Sequence, residues 1–297
     1  MTRYRSAVVT GASGGIGAAF ARRLAAEGCA LVLVARDGTR LAALAAELER
    51  DHGADVEPLP ADLADPAGLE RVAARLADPG RPVDLLVNGA GVLGGIGPLA
   101  RREPAELAHG LALNTGALVR LTRAALPGML ERGHGGVVNV SSVMGFLPAP
   151  GGAPYAAAKA FATSFSESLH GEVCWNGVHV TALCPGSTGG TRLHRSAGHR
   201  ESGRLGRLLD VDDVARDALD AVAAGRPVCV PGLDYRWRVA MSRVLPRRLV
   251  RARYYKRWGR RLAGGPGTPS DSASSDRASS DRASSDAQQP RSAGPKP

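Results

Sequence analysis

The sequence predicts an α/β fold: a single doubly wound domain with a seven-stranded, mostly parallel sheet, followed by a basic helical extension and a low-complexity tail. Three observations carry this expectation. Short runs rich in Val and Leu alternate with longer amphipathic stretches through residues 1–230. The runs are apolar almost throughout, as strands covered on both faces must be. The stretches between them are long enough to serve as the crossover helices that parallel strands require.

In chain order, the strand-like runs are "SAVVT" (6–10), "CALVLVA" (29–35), "DVEPLP" (55–60), "VDLLVN" (83–88), "GVVNVS" (136–141), "VHVTALCP" (178–185) and "PVCV" (227–230). The helical patterns between them occupy 14–28, 37–53, 65–78, 103–130, 153–177 and 210–225. Seven strands and six helices fit one domain over 1–232. Residues 233–263 then turn basic and amphipathic. Residues 264–297, with the repeat "ASSDRASSDRASSD", cannot bury enough apolar surface to offset ordering entropy and read as a disordered tail.

The net charge of +10 is unevenly placed. Tyr235 to Ser270 holds eleven Arg or Lys and no acid, which leaves 27 of the 38 basic residues against all 28 acidic ones elsewhere. The main domain is therefore near neutral, and nucleic-acid binding by the whole protein is not supported. The four cysteines are scattered among apolar residues with no C-x-x-C pair, as expected of reduced, buried thiols in a cytosol. The first residues run straight into a strand, and no apolar run approaches the roughly 18 residues of a spanning helix. A cytoplasmic protein is expected, with attachment to a membrane surface left open.

"VVTGASGGIGAAF" follows the first strand and opens a helix, with Gly11, Gly15 and Gly17 spaced G-x-x-x-G-x-G. Glycine suits a sharp turn and a backbone that must approach a pyrophosphate, and the helix N-terminus supplies amide donors. This is the Rossmann-type arrangement, and it predicts a nicotinamide dinucleotide. At the end of the second strand stands Arg36, with Asp37 beyond it. A permanent cation there suits a 2′-phosphate, so NADP(H) is expected before NAD(H). Gly14 lacks the basic side chain that would strengthen this reading, and pairing of Arg36 with a neighbouring acid is the alternative.

Tyr155 and Lys159 lie four apart at a helix start, which places both on one face. A free phenol titrates at about 10, and an adjacent ammonium favours its phenolate. Ser142, at the C-terminal edge of a strand, can donate to a carbonyl oxygen. With these residues together, the chain resembles the short-chain dehydrogenase/reductase family over about residues 4–230. "TGASGGIG" is similar to the family's cofactor loop and brings in Ser13 and Ile16 beside the glycines. Asp62 in "ADL" and Asn88, Ala90 and Gly91 in "NGAG" match residues beside the adenine. Asn114, Ser142, Tyr155 and Lys159 match a catalytic tetrad, and Pro185 and Gly186 in "CPG" match the turn at the nicotinamide.

That resemblance implies a role for each. Tyr155 exchanges a proton with the substrate oxygen, Ser142 polarises that oxygen, and Lys159 lowers the Tyr155 pKa and holds the nicotinamide ribose. Asn114 holds a water that links Lys159 to solvent. The family has a Thr at a fixed distance after the turn; here Thr188 comes early and Thr191 late, and Thr188, or Thr191 in its stead, takes that place. Residues 187–209, rich in Arg and Gly, fall where the family keeps a substrate lid.

The expected activity is NAD(P)-dependent hydride transfer to or from a carbonyl or alcohol, with a lipid-like or 3-oxoacyl molecule as a candidate substrate and no metal. A non-catalytic NADP-binding protein and a nucleic-acid binder working through 247–261 are the rivals. Assembly as a homo-oligomer is expected. In 233–263, an apolar stripe through Trp237, Met241, Leu245, Leu249, Ala252, Tyr255, Trp258 or Gly259, and Leu262 predicts a short helix, a break at Pro246 and a basic helix from Arg247. That stripe suits either packing on the protein or an anionic membrane surface.

Overall fold

The chain's β-strands alternate their side chains between two buried faces, and this sets the whole architecture. In the computed structural model, residues 3–191 and 208–263 are described. Seven strands, β1 Ser6–Thr10, β2 Ala30–Ala35, β3 Val56–Pro60, β4 Leu85–Asn88, β5 Gly135–Val140, β6 Val178–Leu183 and β7 Val228–Cys229, form one sheet in the order β3-β2-β1-β4-β5-β6-β7. Every pairing is parallel. On β1 and β2, Ala7, Val9, Leu31 and Leu33 enter one core while Val8, Val32 and Val34 enter the other. That two-sided burial is why the runs read as apolar at nearly every position.

The first core is closed by α1 Gly15–Ala26, α2 Gly38–His52 and α7 Val211–Ala223. The second is closed by α3 Pro66–Ala77, α5 Ala117–Arg132 and α6 Ala153–Val173. Two helices start on aspartate caps: Asp37 Oδ1 accepts from Arg40 N at 3.1 Å, and Asp65 Oδ2 accepts from Gly68 N at 2.9 Å, with Pro66 in the first turn.

The stretch expected as one helix over 103–130 is broken. Helix α4, Pro104–Leu111, passes through a π-helical turn at Ala112–Gly116 before α5 begins. Past β7 come α8, Leu233–Val244, and α9, Arg247–Ala263, with Pro246 at the break as its fixed φ and missing donor require. The expected disordered tail, 264–297, lies outside the described residues, as does most of the expected lid.

Burial separates two aromatic residues sharply. Phe20 is fully buried in the first core, whereas Trp175 is 90 % exposed. Phe20→Ala is expected to cost about 3–5 kcal/mol, and Trp175→Ala no more than about 0.5 kcal/mol, measured as urea-unfolding free energies.

Candidate active site

The carboxyl ends of β1, β4, β5 and β6 meet at one edge, and the loops leaving them build a cavity of about 300 Å³. Its first wall is the turn from β1 into α1. Gly11 and Gly15 adopt φ of +71° and +56°, a region that side-chain-bearing residues rarely enter. Gly17 meets the Gly11 backbone so closely that a Cβ would collide with the Gly11 carbonyl. Gly11, Gly15, Ile16 and Gly17 all line the cavity, and so does Gly14, where a Cβ would find no atom within 4 Å. Ser13 sits half-buried on the same turn.

The β4 end supplies Ala90 and Gly91, both lining the cavity. Thr10 Oγ1 holds this turn, accepting from Gly89 N at 3.0 Å and Ala90 N at 3.1 Å. Asn88 ends β4 and is not among the residues lining this cavity. It is buried, and its Nδ2 donates to Thr122 Oγ1 at 3.0 Å and Asn139 Oδ1 at 2.9 Å, tying β4 to β5 and α5. A side chain at the last position of a four-residue strand faces one layer or the other, and this one faces the helices.

Arg36 and Asp62 stand together at the ends of β2 and β3, with Nη1 3.8 Å from Oδ2. Arg36 thus has an acidic neighbour, Asp62, as the alternative reading expected. Its side chain stays 57 % exposed.

Ser142, Tyr155 and Lys159 share the opposite wall. Ser142 follows β5, where its Oγ accepts from Met144 N at 3.2 Å. Tyr155 and Lys159 occupy the first turns of α6, and the Lys159 ammonium lies 5.6 Å from the Tyr155 ring centre. Lys159 Nζ donates to Val140 O at 2.7 Å, and Ser141 Oγ donates to Lys159 O at 2.7 Å, so strand and helix are locked at this point.

Burial governs the titration of both groups. It pushes the Tyr155 phenol up to about 12, against a downward pull from its hydrogen bond with Ser142. It presses the Lys159 ammonium down to about 8. The sequence reading had Lys159 setting a low Tyr155 pKa. Here desolvation is the largest influence on Tyr155 and raises its pKa, and the opposing pull comes from Ser142.

Asn114 lies in the π turn. Its Nδ2 donates to Val92 O and Gly110 O, each at 2.9 Å, and its Oδ1 accepts from Val92 N at 3.3 Å. A Cβ on Gly91 would stand 2.7 Å from Asn114 Oδ1 and 3.5 Å from Lys159 Nζ, so both side chains crowd the space that a larger residue there would need.

Pro185, Gly186, Thr188 and Thr191 all reach the cavity. Thr188 is buried and its hydroxyl donates to Gly186 O at 3.1 Å, while Thr191 Oγ1 donates to Thr188 O at 3.1 Å. Both threonines therefore shape this wall.

Two wall residues escaped the sequence reading, which had placed them in the extension. Tyr235, on α8, lays its ring on Gly186 so tightly that a Cβ there would enter the ring, and its hydroxyl accepts from Ser187 N at 3.0 Å. Tyr254, on α9, also lines the cavity. The available signal was an aromatic shortly after the last strand in "PGLDYRW", in a segment whose charge drew attention elsewhere.

A Gly-rich turn on a parallel sheet, facing a Tyr–Lys pair and a strand-edge Ser across one cavity, defines an NAD(P)-dependent oxidoreductase. Comparison with known proteins specifies the class further. The family model for short chain dehydrogenase matches residues 5–202, and the chain belongs to that family. It is 36 % identical over 186 residues to the NADP-dependent 3-hydroxy acid dehydrogenase YdfG of Salmonella typhi, covering 63 % of this chain and 73 % of that protein.

Among solved structures, a short-chain dehydrogenase from Sphingobium yanoikuyae in complex with NADPH superposes with a TM-score of 0.71 at 34 % identity, over 90 % of this chain and 98 % of that one. The bulky-bulky ketone specific alcohol dehydrogenase from Comamonas testosteroni gives 0.69 at 29 % identity, over 91 % and 98 %.

Tyr235→Phe keeps the ring on Gly186 and leaves the Ser187 amide without its acceptor. Steady-state kinetics should show the cofactor KM rising several-fold with kcat changed less, since an orphaned buried N–H loosens the turn at a cost of about 1–3 kcal/mol. Unchanged cofactor KM would remove Tyr235 from the site.

Proposed function

We propose that the enzyme transfers hydride between NADP(H) and a carbonyl or secondary alcohol carried on a bulky, largely apolar molecule. One observation carries the reading: Ser142, Tyr155 and Lys159 stand on the wall of a cavity that continues from the glycine turn to an apolar end formed by Leu93, Ile96, Met144, Leu147 and Tyr254. The named substrate class of the Comamonas relative, a bulky ketone, supports the choice of substrate.

The residues fit a dinucleotide. The α1 N-terminus lines the cavity and Gly14 leaves open space there, which suits a pyrophosphate on the helix amides. Arg36 offers an exposed guanidinium at the end of β2 for a 2′-phosphate, with Asp62 alongside. Ala90, Gly91, Pro185, Gly186 and Thr188 would line the cofactor, and Lys159 would hold its ribose. When bound, the cofactor supplies the hydride.

The chain's own residues handle the proton. With its pKa near 12, Tyr155 keeps its proton at neutral pH and presents it to the substrate oxygen. Ser142 hydrogen-bonds the Tyr155 phenol, stabilising the phenolate left behind and fixing where the substrate oxygen sits. Below about pH 8 Lys159 carries the charge that opposes this phenolate. Asn114 keeps the Gly91–Val92 loop against Lys159.

Three measurements follow. Tyr155→Phe is expected to lower kcat by about 10²–10⁴-fold with folding intact; retained turnover sinks the assignment. Arg36→Ala should raise KM for NADPH at least about tenfold, the loss of a charge-assisted contact, and leave KM for NADH nearly unmoved. In the reductive direction, Tyr155 stays protonated well above neutrality while Lys159 loses its charge through about pH 8. The rate should therefore hold below that pH and fall above it. A profile flat to pH 10 contradicts the role given to Lys159.

A further inference from the structure

We propose that the outward face of α8, continued onto the start of α9, is a docking surface for an anionic lipid bilayer. Helix α8 is held in one rotation about its axis. Tyr235 and Val239 are buried on its inner side, Arg243 Nη2 lies 3.6 Å from Glu167 Oε1, and the Arg243 guanidinium sits over the Phe146 ring at 5.1 Å. Its opposite side is therefore fixed outward.

On that side Leu233, Trp237, Ala240 and Val244 step by four, three and four residues, which makes a single stripe. Leu233 and Val244 are each 80 % exposed, and Trp237 is 65 % exposed. On α9, Leu249 and Tyr255 are exposed as well. Arg236 on α8 and Arg247, Arg248, Arg251 and Lys256 on α9 are exposed too.

This combination selects the occupant. An apolar stripe with an interfacial Trp, flanked by cations, matches the boundary between acyl chains and anionic headgroups. A nucleic acid would engage the cations and leave Leu233, Trp237 and Val244 in water. A second copy of the chain would bring the same positive charge to the same face, and like charges oppose that contact. No helix among the described residues is long and apolar enough to cross a membrane, so the contact proposed lies in the interface plane. Tyr254 on α9 lines the cavity, so a bilayer bound here lies beside the apolar end of the active site.

The test uses the full chain and is read without turnover, so it stands or falls separately from the reductase chemistry. Co-sedimentation is measured with vesicles of phosphatidylcholine alone and with about 30 mol% phosphatidylglycerol added. Binding should be at least about tenfold tighter to the anionic vesicles and weaken with added salt. The variant Leu233→Ser/Trp237→Ser/Val244→Ser should lose that binding while keeping its thermal unfolding and its NADPH affinity. Trp237→Ser alone, the milder change, should weaken binding severalfold.

Equal binding to both vesicles, or full binding by the triple variant, overturns the proposal. So does wild-type protein that ignores vesicles but runs as a dimer which the triple variant converts to monomer, since a second copy then covers the face. Salt-sensitive binding to duplex DNA, unaffected by the triple substitution and with no vesicle binding, overturns it in favour of nucleic acid.

Discussion

Parallel pairing is the constraint on which the molecule depends. A parallel neighbour is reached only by crossing over the sheet, so each strand brings a helix with it and all seven strands end at the same edge. The order β3-β2-β1-β4-β5-β6-β7 reverses its direction of growth between β1 and β4, and the connections from these two strands leave by opposite faces. Their loops part and open a crevice. Thr10 and Gly11 on one side of it, and Gly89 and Ala90 on the other, are in direct contact at its base. The glycine turn after β1, the turn after β4 and Ser142 after β5 reach the crevice directly from strand ends, while Tyr155 and Lys159 are brought to it by the first turns of α6.

Within that crevice, desolvation acts on two groups in opposite senses. It favours the neutral phenol of Tyr155 and the neutral amine of Lys159, raising one pKa and lowering the other. At neutral pH the site therefore holds a phenol and an ammonium whose nearest compensation is the Val140 carbonyl. In the reaction we propose, Tyr155 gives up its proton, and phenolate and ammonium would then form an ion pair in a poorly solvated space, where their attraction is stronger than it would be in water. The charge arrangement is thus better suited to the state after proton transfer than to the one before it, which is the direction electrostatic catalysis requires.

How much of this could be read beforehand differs by element, for physical reasons. The strands were legible because burial on both faces leaves an uninterrupted apolar run, and all seven appeared in place. The glycine turn and the Tyr155–Lys159 spacing were legible because backbone approach and helix periodicity are local properties. The π turn around Asn114 was not, since a one-residue widening of the helical hydrogen-bond pattern leaves the apolar periodicity around it readable as one helix. The direction of Asn88 was hidden because a short strand does not announce which layer its last residue faces. The partner of Arg36, Asp62, is 26 positions away and becomes adjacent only through the β2–β3 register.

The extension shows where periodicity misleads. A helical stripe of apolar residues normally marks the side turned toward a core. In α8 the inward side carries only Tyr235 and Val239, and the most conspicuous apolar residue, Trp237, points to solvent. Tyr235 anchors the helix, its ring covering Gly186 and its hydroxyl taking up the Ser187 amide, and Arg243 adds its contacts with Glu167 and Phe146. Leu233, Trp237 and Val244 then sit in water, where each forgoes about 1.5–3 kcal/mol of burial. Folding does not recover that free energy. A surface that accepts apolar side chains between its charged groups would recover it, and the arginines around the stripe specify the sign of that surface's charge.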